Sequence, residues 1–346
     1  MADMATTDRR IFFTGTTGYV GGSILSRLID HPTYKSSEVS VLIRPSKKDK
    51  SSVFESLGLK PVIGTNHDLE LLTEQASQAD VVFSCADADD LSAAEAVLKG
   101  LKQRHERTGT QPILIHTSGT GVLTDNAKGL HSSDIIYDDL NLDQIASLPP
   151  TQLHRNVDLT IQEADKEGYI RSYIILPSTI YSLAETKLVE LGVQNPRSLQ
   201  IPMLIREGIR RGQAKVVGEG KNRWPNVHID DIADLFIVVY ENALSGKAGH
   251  GRDGYYFGEN GEHRLYDVAK EIAKVMHELG KSKTAEPEPF TGKDYEQNEE
   301  LLYLGTNSRC RAHRGRLLGW NPKHTTEDLF KSIGPEMEYL IKHEGF

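Results

Sequence analysis

The feature that most constrains this chain lies near its start: Ile11-Phe12-Phe13-Thr14-Gly15-Thr16-Thr17-Gly18-Tyr19-Val20-Gly21. An apolar stretch runs into glycines spaced three apart, and amphipathic sequence follows, which predicts a strand, a tight turn and a helix. Each glycine answers its own steric demand. Gly15 permits the turn, Gly18 lets backbone N–H groups approach a pyrophosphate, and Gly21 lets the helix pack on the strand with its positive end toward the anion. The turn therefore predicts a dinucleotide site contacted by Thr14, Gly15, Thr17, Gly18, Tyr19, Val20 and Gly21.

The rest of the chain supports that reading. Up to residue 177, short apolar runs (11–14, 39–43, 61–63, 80–85, 113–117 and 173–176) alternate with helical patterns near 19–30, 68–78, 92–107 and 156–167. This rhythm predicts an α/β fold, a Rossmann-type doubly wound parallel sheet. The polar segment 118–150 reads as a loop over the strand ends. Beyond residue 177, helical patterns dominate (196–212, 230–244, 265–279 and 325–343), and 281–293 suits an exposed connection. The expected division is a dinucleotide-binding domain over 1–180, with parts of 215–260 interleaved, and a smaller, mostly helical substrate lobe over 181–346. No internal repeat is present.

Composition narrows the partners. Forty Lys and Arg against 49 Asp and Glu give a net charge of −9, so no global field attracts a nucleic acid or an anionic membrane. Any anion site must be local. The start, MADMATTDRR, lacks the apolar run of a secretion signal, and the two cysteines, Cys85 and Cys310, form no disulfide framework. Runs such as 235–240 are far shorter than a bilayer span. A cytoplasmic protein with a small-molecule substrate is expected, with neither nucleic-acid nor membrane partners. The 13 histidines are scattered, with no His-Glu-x-x-His, so no metal site is expected. No Gly-x-Ser-x-Gly elbow occurs; the nearest stretch is His116-Thr117-Ser118-Gly119-Thr120-Gly121.

The end of the second predicted strand bears on the choice of nucleotide. Val41-Leu42-Ile43 is followed by Arg44, with Lys47 and Lys48 beyond it. A carboxylate there would accept from a free ribose hydroxyl, whereas an arginine pairs with a 2′-phosphate. Arg44 backed by Lys48 favours NADP over NAD; the alternative is a solvated basic loop.

Beyond the glycine turn, three segments carry a resemblance. They are His116-Thr117-Ser118-Gly119, Trp224-Pro225-Asn226-Val227-His228-Ile229-Asp230-Asp231, and the stretch from Asn307 that ends Leu317-Leu318-Gly319-Trp320-Asn321-Pro322. Over nearly its whole length the chain resembles the extended short-chain dehydrogenase/reductases, the NAD(P)-dependent epimerase, dehydratase and reductase group. The resemblance implies a dinucleotide on the sheet and a C-terminal lobe that closes over a substrate. It also implies cofactor contacts from Ser84, Cys85 and Ala86, from Thr117, and from Pro177, Ser178, Thr179 and Ile180. Relatives often pair through the helices that carry the catalytic segment, so a homodimer is expected.

The chain departs from the family where the catalytic Tyr-x-x-x-Lys belongs. That stretch reads Thr151-Gln152-Leu153-His154-Arg155-Asn156-Val157-Asp158, and Gly119 replaces the family's active-site Ser or Thr, flanked by Ser118 and Thr120. His154 and Asp158, four apart, would share one helix face, where the carboxylate favours the protonated imidazole and creates a general acid. The same spacing also suits an exposed pair at a helix start. Tyr137, Tyr181, Trp224 and His228 are the expected substrate contacts, each with an alternative reading as packing; Asp231 reads as a helix-start acid.

The function expected from these readings is an NADP(H)-dependent oxidoreductase acting on a small carbonyl, imine or enone. Two alternatives stay open: an NADP-binding redox sensor without turnover, and a non-redox isomerase, lyase or cyclase.

Overall fold

The computed structural model describes residues 9–346. The sequence reading of the first eight residues lies outside that range. Seven parallel strands form the central sheet, in the order Tyr255–Gly258, Arg171–Pro177, Ile113–Thr117, Val81–Ser84, Arg9–Phe13, Ser37–Ile43, Lys60–Ile63. Ile11, Phe12 and Phe13 are all buried, as they must be in a strand covered on both faces. The helix Tyr19–Asp30 packs against Ile229–Leu244, while Leu69–Gln78, Leu91–Thr108 and Arg155–Lys166 lie side by side. Chain order reverses between Val81–Ser84 and Arg9–Phe13, and a crevice opens at such a switch point.

Six of these strands fall on the runs expected from sequence. The seventh, Tyr255–Gly258, comes from the C-terminal half and pairs Tyr255 with Ile174 and Gly258 with Pro177. Its short run follows two helices, so alternation alone does not reveal it. Segment 118–150 contributes nothing to the central sheet, but it is more ordered than a plain loop. It holds a 3₁₀ turn, Thr120–Leu123, a helix, Leu142–Ala146, and a two-residue strand, Tyr137–Asp138, that pairs with Cys310–Arg311. The 281–293 connection is mostly exposed or half-buried, yet Glu288–Pro289 pairs with Lys215–Val216.

Two apolar cores result. One fills the layers around the sheet; the other is built from Ile201, Ile205, Val268, Ile272, Leu301, Leu329, Ile333 and neighbours. Between them stands a three-stranded sheet, Glu262–Arg264, Arg223–His228 and Thr179–Tyr181. Asp231 helps tie this junction: its carboxylate accepts from the backbone N–H groups of Lys323 and His324, both at 2.9 Å, and its carbonyl accepts from the Trp320 indole at 2.7 Å. The Leu-Gly-Trp segment is therefore a clasp between elements.

Candidate active site

The glycine turn is built as its spacing demands. Gly15 has φ +76°, and a Cβ there would run into the Cys85 carbonyl; a Cβ on Gly21 would strike the Gly15 carbonyl. Both positions are closed to side chains. Thr14 Oγ1 accepts from Cys85 N at 3.2 Å, and Thr16 Oγ1 donates to the Leu42 carbonyl at 3.2 Å, which stitches the turn to its neighbouring strands. The first-turn N–H groups after Gly18 have no partner within the helix, and Gly18 to Gly21 line the crevice.

That crevice is a cleft of about 380 Å³. It is lined by Gly18, Tyr19, Val20 and Gly21 from the turn, by Cys85, Ala86 and Thr117 from neighbouring strand ends, and by Ser178, Thr179 and Ile180. Its far wall, Asn195, Arg197, Ser198, Leu199 and Gln200, carries no sequence signal, because its place depends on Asn195 N donating to the Thr17 carbonyl at 3.0 Å. Arg197 in turn pairs with Glu344 near the chain end.

Several expected contacts turn elsewhere. Tyr19 gives the cleft its backbone, while its phenol is buried and donates to the Ser182 carbonyl at 2.6 Å. Ser84 and Thr14 line a void of about 10 Å³ beside His116, about the room one water needs. Both His116 nitrogens lack a protein partner, and burial together with nearby His154 pushes that imidazole down to about 3, so it stays neutral. Pro177 is occupied in the sheet, and Ser178 Oγ donates to the Gly258 carbonyl at 2.7 Å. Burial pushes the Cys85 thiol up to about 12, which removes it as a nucleophile. Arg44 and Lys48 are exposed at the end of Ser37–Ile43, with no ion-pair partner among the described residues.

The four expected substrate contacts stand off the cleft lining. Tyr181 is fully buried, its phenol donating to the Thr325 carbonyl at 2.8 Å. His228 caps Ile229–Leu244 by accepting from Asp230 N at 3.1 Å, and its ring stacks on His324. Tyr137 lies in the short ladder with Cys310, off the cleft lining. Trp224 is nearly buried; its indole donates to the Thr306 carbonyl at 2.7 Å, and its ring packs edge-on against Tyr303.

The expected His154–Asp158 pair does not form. His154 stands at φ +67°, just outside the helix Arg155–Lys166, so the four-residue helical spacing does not apply to it. Asp158 turns inward, fully buried, and accepts from Ser118 Oγ at 3.1 Å; burial pushes its carboxyl up to about 7. Ser118 is thereby committed to Asp158. Thr120 is buried and its carbonyl accepts from Ser308 Oγ at 2.7 Å.

His154 has a different acid. Asp89 Oδ1 accepts from its backbone N–H at 3.0 Å and sits 2.9 Å from ring Nδ1. One carboxylate therefore holds an unfavourable backbone conformation and, by accepting from Nδ1–H, turns Nε2 outward. Nε2 comes to rest 3.0 Å from where a Cβ on Gly119 would be, which explains the glycine in place of Ser or Thr. The ring thus lies against Gly119, two residues beyond Thr117 in sequence. The hydroxyl of Tyr303 also reaches Gly121, 2.5 Å from where a Cβ there would be. Neither Asp89, within the acidic run Asp87 to Asp90, nor Tyr303 stood out in sequence.

The fold and this arrangement can be set against known proteins. The dTDP-glucose 4,6-dehydratase from Bacillus anthracis, solved in complex with NAD, superposes with a TM-score of 0.65 over 98% of each chain at 16% identity. The chain shares the Rossmann-type doubly wound fold of that enzyme. In sequence it is 29% identical to the oxidase ucsJ of Acremonium sp over 97% of this chain and 98% of that one. It is 23% identical to a 4-hydroxy-2-methyl-3-oxo-4-farnesyl-3,4-dihydroquinoline-1-oxide ketoreductase of Stigmatella aurantiaca, over 71% of this chain and 68% of that one. No family profile matches the chain. No helix among the described residues is long and apolar enough to cross a membrane, and no cluster of metal-ligating side chains occurs among them.

Proposed function

We propose that the protein is an NADP(H)-dependent oxidoreductase that interconverts a small organic ketone and its alcohol. The observations that carry this reading are the Asp89–His154 pair, whose Nε2 makes no hydrogen bond to another described residue, and a separate cleft shaped for a dinucleotide. The cleft fits the cofactor because Gly15 and Gly21 leave no room for a Cβ and the helix start presents unpaired N–H groups. The turn would hold the pyrophosphate, Thr117 and residues 178–180 the nicotinamide half, and Arg44 with Lys48 the 2′-phosphate. A bound nicotinamide supplies or accepts the hydride.

The protein supplies the proton. When the ring carries both protons, Asp89 balances its charge, and Nε2–H donates to the substrate oxygen as the alcohol forms; in the reverse direction Nε2 accepts that proton. Asp158 stands where the family's lysine would, but it is buried on Ser118 and brings no positive charge. Proton handling therefore falls to histidine rather than to a lysine-activated tyrosine. The names of the relatives, an oxidase and a ketoreductase, support redox chemistry over the isomerase and sensor readings.

The test is His154→Ala, assayed for NADPH binding by fluorescence and for NADPH oxidation against a panel of ketones. Affinity should hold while turnover falls by about 100-fold or more. Full activity in the variant would remove His154 from the chemistry.

A further inference from the structure

Tyr303 comes from the C-terminal half, about 150 residues from His154, and its position is unusual. A Cβ built on Gly121 would lie 2.5 Å from the Tyr303 hydroxyl, 3.2 Å from His154 Nε2 and 3.0 Å from Leu153 Cδ2. Three side chains converge on the space that a Cβ would take. The phenol makes no hydrogen bond to another described residue, while its ring is held by Trp224, centroids 5.3 Å apart at 66°. Trp224 is itself pinned through its indole to the Thr306 carbonyl. A rigidly held aromatic with an unspent hydroxyl, brought to the same glycine as the free nitrogen of a carboxylate-bound histidine, has the form of a substrate clamp.

The chemistry of the walls indicates what the clamp receives. Leu153 is 41% exposed beside the pair. The charged group that acts on the Tyr303 phenol is the Asp89 carboxylate, which together with burial pushes its pKa up and keeps it a hydroxyl donor. Two guanidiniums on adjoining segments, those of Arg223 and Arg309, are both bound to Glu262. An anionic substrate would meet Asp89 with no free counter-charge from those two arginines.

We propose that Tyr303 Oη and His154 Nε2 together grip the oxygen of a neutral ketone whose apolar body lies on Leu153. This extends the oxidoreductase reading above and names its substrate class. Tyr303 donates a hydrogen bond that places and polarises the carbonyl; His154 delivers the proton.

Tyr303→Phe keeps the ring and its packing on Trp224 and removes only the hydroxyl. The probes are α-tetralone, a neutral fused-ring ketone, and pyruvate, a small anionic one. Binding to the NADP⁺ complex is read by tryptophan fluorescence, since Trp224 adjoins the site and Trp320 is the other of the two tryptophans. Turnover is read as NADPH oxidation. The native protein should bind tetralone and not pyruvate. Tyr303→Phe should weaken tetralone binding and lower kcat/KM by about ten-fold each, with NADPH affinity and melting temperature unchanged. Gly121→Ala, whose new methyl would separate the pair, should do at least as much. Tetralone binding without turnover in the native protein, still weakened in Tyr303→Phe, would sustain the clamp and defeat the redox reading. Unchanged tetralone affinity in Tyr303→Phe, or tighter binding of pyruvate than of tetralone, would overturn the proposal whatever the turnover.

Discussion

The two ends of the candidate site are made in different ways. The dinucleotide end is backbone: Gly15 to Gly21, contiguous in sequence, with side chains excluded by close approaches. The end proposed for proton transfer is side chain: Asp89, His154 and Tyr303, gathered from three distant segments around Gly119 and Gly121. A backbone site is fixed by conformational permission, so it tolerates change poorly and fails as a whole. A side-chain site is fixed by pairwise contacts, so it can lose chemistry while the fold and the cofactor cleft survive.

The largest expected effect lies at the backbone end. Gly15 and Gly109 share positive φ, +76° and +69°, but nothing lies within 4 Å of a Cβ at Gly109, whereas at Gly15 it meets the Cys85 carbonyl. Gly109→Ala should cost about 1 kcal/mol from backbone strain alone. Gly15→Ala should cost about 3 kcal/mol or more and abolish dinucleotide binding. Thermal melts and fluorescence titrations of both variants check this. Equal effects would mean that the turn is defined by φ and not by close approach.

At the side-chain end, Asp89→Asn should leave melting and NADPH affinity near native and lower kcat by about 10²-fold, since the amide cannot balance charge on His154. Steady-state kinetics beside a binding titration separate the two. A comparable loss of NADPH affinity would show that the two ends do not fail independently.

How much of this was legible in sequence follows the same division. The glycine turn and six strands could be read because local spacing reports local backbone. The strand Tyr255–Gly258 could not, because it joins the sheet after a long excursion through other elements. His154 was found as a replacement in a known motif, but its partner was misassigned to Asp158. Spacing assumes both residues are in the helix, and the left-handed φ of His154 places it just outside. Asp89 reads as one more acid in a solvated run, and Tyr303 as one aromatic among many; only the tertiary fold brings them together. Trp224 lies next to the proposed clamp, but as packing, which sequence could not decide.

A smaller effect separates Asp158 from the catalytic role first expected of it. Its carboxyl is raised to about 7 by burial, so between about pH 4 and pH 7 the folded state holds a proton that the unfolded state has released. That contribution to stability is complete below the unfolded value and is lost as pH rises through 7. Glu336, in the second core and also raised to about 7, acts in the same direction. Urea midpoints at pH 5 and pH 7.5 should therefore fall with rising pH on account of these groups. Asp158→Asn should remove about one proton's worth of that slope. An unchanged slope would mean that Asp158 is ionised in the fold, and so available to a ligand after all.

The smallest effect tests how far the backbone end extends. Arg44 and Lys48 are exposed and unpaired at the tip of Ser37–Ile43, so a 2′-phosphate there would bind in water, where a charge-assisted contact contributes modestly. Arg44→Ser should weaken NADP binding by about ten-fold, roughly 1.4 kcal/mol, and leave NAD nearly untouched. Added salt should erode the preference of the native protein, because the interaction is solvent-screened. Isothermal titration of both dinucleotides with both proteins gives the four affinities needed. Equal affinities for NAD and NADP in the native protein would make the basic loop a solvated one and leave the choice of cofactor to the glycine turn, which reads only the pyrophosphate that both share.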